Sequence, residues 1–92
     1  MPTYVNIAFY LKEEWPRFLE MADDRKDLED TWEEWFGKYL GLKLSLKSQG
    51  FEVQDYIVYM DELERYCKEK GLKNTGKTRS AFITGKPSNR VL

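Results

Sequence analysis

The stretch LEDTWEEWFGKYLGLKLSL (Leu28–Leu46) carries large apolar residues at Leu28, Trp32, Trp35, Tyr39, Leu42 and Leu46, at alternating spacings of four and three. An α-helix turns once in 3.6 residues, so these side chains line one face, and the series predicts a helix of about six turns. Gly50 supplies its stop, because glycine accepts the left-handed conformation that closes a helix without steric penalty. Gly37 and Gly41 interrupt the run at about 1 kcal/mol each relative to alanine, and mark either a bend or the close approach of another element. Upstream, Asp24 or Asp27 is placed to accept an orphan N–H at the helix start.

Outward from this helix, both flanks read as strands. Thr3–Leu11 (TYVNIAFYL) is β-branched and aromatic, with Val5, Ile7, Phe9 and Leu11 on one face, and Phe51–Tyr59 (FEVQDYIVY) alternates in the same way. Between the first strand and the long helix, Trp15, Phe18, Leu19 and Ala22 form the stripe of a short helix from Glu13 to Met21, with Pro16 tolerated in its first turn. After the second strand, Asp61 can cap a helix from Glu62 to Lys70 that Gly71 ends, and a fourth helix covers Lys77 to Ile83. The expected fold is a single small α+β domain over residues 1–84 in β-α-α-β-α-α order, with 85–92 as a flexible tail. A hairpin of the first two helices would return the second strand antiparallel to the first, the expected arrangement, whereas a short helix that merely bends into the long one would allow a parallel pair. Two strands alone are marginal in water, so the sheet needs the long amphipathic helix beside it, and its open edges invite a homodimer.

Ninety-two residues leave room for one domain only. Hydrophobic content of 41% is too high for a disordered chain, and no run approaches the ~18 apolar residues of a membrane span. Cys67 is the sole cysteine and no signal-like segment opens the chain, so a reducing cytoplasm is the expected setting. Histidine is absent, which removes the commonest general base and metal ligand. Cys67 lacks a base to activate it, and the expectation is a protein without enzymatic activity, cofactor or metal.

The net charge of −1 conceals two opposite parts. Residues 1–64 hold seven basic and fifteen acidic residues, whereas residues 65–92 hold eight basic residues and Glu69 alone. Arg65, Lys68, Lys70, Lys73, Lys77 and Arg79 fall on two predicted helices and their junction, a candidate phosphate-binding surface for DNA or RNA. Glu62–Ile83 (ELERYCKEKGLKNTGKTRSAFI) resembles the helix-loop-helix of the SAP module, a small DNA-binding unit, although the second helix lacks that family's leucine-rich end. The resemblance implies the same partner. For it to work, the acidic segment Glu20–Glu34 must lie on the opposite side of the domain, since adjacent opposite charges cancel within the Debye length of ~8 Å. The alternative is a protein-interaction adaptor that docks through the acidic, aromatic-rich long helix.

Three further patterns read as structural. Gly71–Thr78 (GLKNTGKT) matches the G-x-x-x-x-G-K-[ST] phosphate-loop pattern, but that motif needs a strand leading into it, and a helix precedes it here. Asp27, Asp30 and Glu34 share a helical face without an EF-hand spacing, and acids near a helix start are favoured by the helix dipole in any case. Trp15, Trp32 and Trp35 sit at core positions; Phe36 and Leu40 widen the apolar stripe beyond what a small sheet covers, which again points to a homodimer.

Overall fold

The long helix forms within the periodic run but starts one turn inside it, at Trp32, and the computed structural model, which describes residues 3–89, shows what surrounds it. Strand β1 (Thr3–Phe9) leads into helix α1 (Trp15–Met21), helix α2 (Trp32–Ser48), strand β2 (Phe51–Ile57), helix α3 (Met60–Lys70) and helix α4 (Gly76–Ile83). One-turn 3-10 helices at Lys12–Glu14 and Arg25–Asp27 flank α1. Among the described residues, no helix is long and apolar enough to cross a membrane.

The strands pair parallel, in register from Thr3 opposite Phe51 to Phe9 opposite Ile57, which corrects the antiparallel expectation. The physical reason lies in the connection. α1 has only 7 residues and, with its flanking turns, does not form the second arm of a helical hairpin. The 17 residues of α2, ~25 Å at 1.5 Å per residue, return the chain along the whole sheet in one crossover, so β2 starts at the same end as β1.

α2 begins later than its apolar repeat does. Thr31, not Asp24 or Asp27, caps it: its hydroxyl oxygen accepts the Glu34 N–H at 3.1 Å and donates to the Glu34 carboxylate at 3.0 Å, a side-chain cap that leaves Leu28 in the preceding loop. α3 also starts earlier than expected, with Tyr59 in the cap position ahead of Met60.

The sheet lies between two helical layers. Val5, Ile7 and Phe9 of β1 and Val53 and Ile57 of β2 face Trp35, Phe36, Tyr39 and Leu46 of α2. The opposite face, through Ala8 and Tyr56, joins a larger core of Trp15, Phe18, Met60, Leu63, Phe82 and Ile83 from the other helices and of Tyr10 and Val58 just after the strands. Trp32 and Trp35 touch both clusters, and the Trp32 indole donates to the Tyr10 carbonyl at 2.7 Å. One polar group enters the α2 layer: Asp55 accepts from the Tyr39 hydroxyl at 2.6 Å and from Lys43 Nζ at 3.2 Å. Burial, and then the bond to Asp55, hold the Tyr39 phenol above its ordinary value.

Within 85–92, the segment expected as a flexible tail, three residues hydrogen-bond the sheet. Asn89 and Ser88 hydrogen-bond the outer edge of β2 at Ile57 and Asp55, while Asn6 of β1 donates to the carbonyls of Ile83 and Lys86 at 2.8 and 2.7 Å. Residues 90–92, the rest of that segment, lie outside the described residues.

Candidate functional site

The six cations singled out from sequence do not form one surface. Gly71, at φ 65°, ends α3; the N–H of Leu72 returns to the Cys67 carbonyl at 2.9 Å, and Lys73, Asn74 and Thr75 then lead into α4. Arg65, Lys68, Lys70, Lys73 and Lys77 are exposed along this path. Arg79 is 5% exposed. It sits one turn before Phe82 and Ile83 on the buried stripe of α4, and its guanidinium lies 5.0 Å from the centre of the Phe18 ring.

The Arg79 guanidinium is committed within the chain. Nη1 and Nη2 donate to the two carboxylate oxygens of Asp24 at 3.0 and 2.7 Å, and Nη1 also reaches the Asn74 carbonyl and side-chain oxygens at 3.1 and 2.9 Å. Arg79 therefore holds the Asp24 carboxyl below the usual carboxylate range. Nearby, burial pushes the Tyr10 phenol up to about 12 although Arg79 opposes that rise.

The loop that matches the phosphate-loop pattern holds two of the protein's own carboxylates. The Asn74 N–H donates to Asp23 Oδ2 at 2.7 Å, the Gly76 N–H at the start of α4 donates to Asp24 Oδ2 at 3.1 Å, and the Asp23 N–H returns to the Asn74 carbonyl at 2.9 Å. Backbone donors that would cradle a phosphate are thus turned to aspartates. Thr78, the position that would bind Mg²⁺ in such a loop, is buried, with its hydroxyl 3.5 Å from that of Thr75. The acidic segment accordingly touches the basic one through Asp23 and Asp24 instead of lying across the domain from it.

Acids are interleaved with the exposed cations as well. Arg17 binds Asp61 at 2.7 Å and Glu64 at 3.0 Å, and Glu64 binds Lys68 at 2.8 Å, so one end of α3 presents alternating charge. Arg65, Lys70, Lys73 and Lys77 have no ion pair among the described residues. In the acidic segment, Glu29 pairs with Lys38 at 2.6 Å and Asp30 with Arg25 at 2.7 Å. Among the described residues, no group of three or more potential ligands is arranged to hold a metal ion. Cys67 is half-buried, and burial first, then the Asp23 charge, raise its thiol above the ordinary value, opposite to what a nucleophile needs.

Sequence reasoning gave less weight to the outer side of α2. There Leu40 and Leu44 are exposed by 44 and 70% of their surface, and Leu42, expected on the inward stripe, lies beside the edge of β1 and is 50% exposed. A side chain added at Gly37 or Gly41 would meet nothing within 4 Å. Leu40 and Leu44 lie one turn apart beside Gly37, so an apolar strip with low relief runs along the helix away from the sheet. The signal was present in Leu40, Leu42 and Leu44, which alternate through a helix and so cannot all face one core. No family model, curated protein or solved structure matches the chain.

Proposed function

We propose that this chain is a non-enzymatic protein-interaction module that docks through the outer flank of α2. The observation that carries the reading is the strip of Leu40 and Leu44, the latter 70% exposed, beside Gly37 and Gly41 with open space above them. Apolar area of this kind on a small domain gains about 25 cal/mol per Å² when a partner covers it. Helix glycines, unfavourable for the helix itself, let a second helix approach closely. The partner that suits the strip is an amphipathic helix with an apolar seam, carrying basic residues toward Glu33 and Glu34 at the start of α2. A reducing compartment such as the cytoplasm fits the lone thiol of Cys67. Self-association belongs with the same reading of the protein, on a different surface.

Nucleic-acid binding through Arg65, Lys68, Lys70, Lys73 and Lys77 has weaker support, because Asp23 and Asp24 occupy the loop's donors and Glu64 lies among the cations. The two readings separate in one experiment. Proximity labelling with the full chain should identify a protein that the double variant Leu40→Glu, Leu44→Glu loses and that Lys73→Glu, Lys77→Glu retains. A labelling profile that the leucine variant leaves unchanged, with its fold intact by circular dichroism, would overturn the proposal.

A further inference from the structure

The two edges of the sheet are treated differently. Parallel pairing turns the N–H and C=O groups of alternate residues inward, and the bond from the Val58 N–H to the Phe9 carbonyl at 3.0 Å sets the phase. Val5, Ile7 and Phe9 therefore face β2, while Tyr4, Asn6 and Ala8 direct their backbone groups away from it. On β2 the outward residues are covered: Asn89 Oδ1 accepts the Ile57 N–H at 2.6 Å, Asn89 Nδ2 donates to the Ile57 carbonyl at 3.0 Å, and Ser88 Oγ donates to the Asp55 carbonyl at 2.7 Å. On β1, no described residue bonds the outward backbone groups of Tyr4, Asn6 or Ala8. Edge strands are ordinarily protected by charge, proline or a covering segment. β1 reads TYVNIAF and has no charge or proline, whereas the covered strand, FEVQDYI, also contains Glu52 and Asp55.

We infer that the open edge of β1 pairs with β1 of a second copy, antiparallel about a two-fold axis at Asn6. In that register Asn6 faces Asn6 of the second copy, and Tyr4 faces its Ala8. These are the residues whose outward N–H and C=O groups exchange hydrogen bonds in an antiparallel pair. The side chains agree with it: Tyr4, 58% exposed, covers the small Ala8 opposite, Val5 meets Ile7 and Thr3 meets Phe9, with no like charges opposed. A groove of about 340 Å³ runs beside this edge, with Asn6 and Ala8 in its floor and Leu42 of α2 and Ser80 and Ile83 of α4 in its walls. The pairing makes a four-stranded sheet and turns the exposed Leu42 of each copy toward the junction.

Size permits it. A seven-residue edge is ~23 Å long, and the molecule is 23 Å deep in its thinnest direction. Faces of that extent on two copies bury on the order of 1,000 Å², the lower bound for a specific, stable association.

Sedimentation of the full chain tests the inference. The parent should sediment at twice 11.0 kDa at tens of micromolar. Tyr4→Pro removes an outward N–H and spares the ladder to β2, and Leu42→Lys places a charge at the junction; each should raise the dimer dissociation constant at least about tenfold with the parent's circular dichroism. The double variant Leu40→Glu, Leu44→Glu should remain dimeric. A parent of 11.0 kDa at that concentration, or a dimer that survives both Tyr4→Pro and Leu42→Lys, overturns the inference. So does a dimer that the Leu40, Leu44 variant alone dissociates, which would put the contact on α2.

Discussion

Replacing Asp24 by alanine should be among the most destabilising single changes at a surface loop of this protein. The Arg79 guanidinium has 6% of its side chain exposed, and two of its hydrogen bonds go to the Asp24 carboxylate, itself 15% exposed. Without that carboxylate a cation stays in a poorly solvated site with no counter-charge, and only neutral oxygens, those of Asn74 and the Tyr10 hydroxyl, remain to receive its N–H groups. Removing one member of a buried pair typically loses 3–5 kcal/mol, because the surviving charge has no counter-charge. The Gly76 N–H at the start of α4 also loses its acceptor, worth about 1 kcal/mol as for other caps. Against a total stability on the order of 5–10 kcal/mol for a chain of this size, Asp24→Ala should lose half or more. Urea unfolding followed by tryptophan fluorescence gives the number. Arg79→Met in the same background should recover part of it, since the double variant has no stranded charge, giving a coupling above about 1.5 kcal/mol. The pair also sets an acid limit. The Asp24 carboxyl titrates lower in the folded chain than its usual ~3.9, so its contribution is whole above that value and is lost as pH falls through the lowered folded value. A loss under about 1 kcal/mol in Asp24→Ala, with unchanged dependence on urea, would refute the reasoning.

Thr31→Ala should destabilise by about 1 kcal/mol in urea, because its hydroxyl both accepts the Glu34 N–H and donates to the Glu34 carboxylate at the start of α2. Lys77→Ala should leave stability within about 0.5 kcal/mol, and calorimetric titration of the parent with Mg-ATP should show no binding heat; a micromolar affinity that disappears in the variant contradicts the carboxylate-filled loop. The Tyr10 phenol, pushed up to about 12 chiefly by burial, makes a contribution that is whole below the unfolded value of ~10 and is lost as pH rises through 12. Tyr10→Phe should flatten that alkaline limb in a pH series of urea midpoints.

What the sequence discloses is mostly local. The 3.6-residue repeat in α2, the alternation in both strands and the stop signals Gly50 and Gly71, which both adopt positive φ, follow from neighbours within a few positions. The direction of β2 does not. It depends on whether α1 is long enough to form one arm of a hairpin, and the polar Asp23–Asp30 segment after it resolves into a single 3-10 turn and loop. The place of Arg79 in the candidate phosphate surface is not legible for a related reason. Arg79 looks like one more member of a basic series, yet it stands three residues before Phe82 and four before Ile83, on the inward stripe of its own helix. A cation at a core position implies a buried counter-charge, but Asp24 lies 55 residues away in the chain, and local spacing cannot choose it from among the neighbouring acids.

The salt dependence of complex formation by the full chain tests the account most directly. Binding of the partner identified by proximity labelling should weaken only slightly from low to physiological salt, because the apolar helix flank outweighs the few rim charges at Glu33 and Glu34. A complex with duplex DNA or RNA whose log K falls with log salt at a slope of about −3 to −4, lost in Lys73→Glu, Lys77→Glu, would contradict the account and move the binding to the exposed cations of α3 and the loop after it.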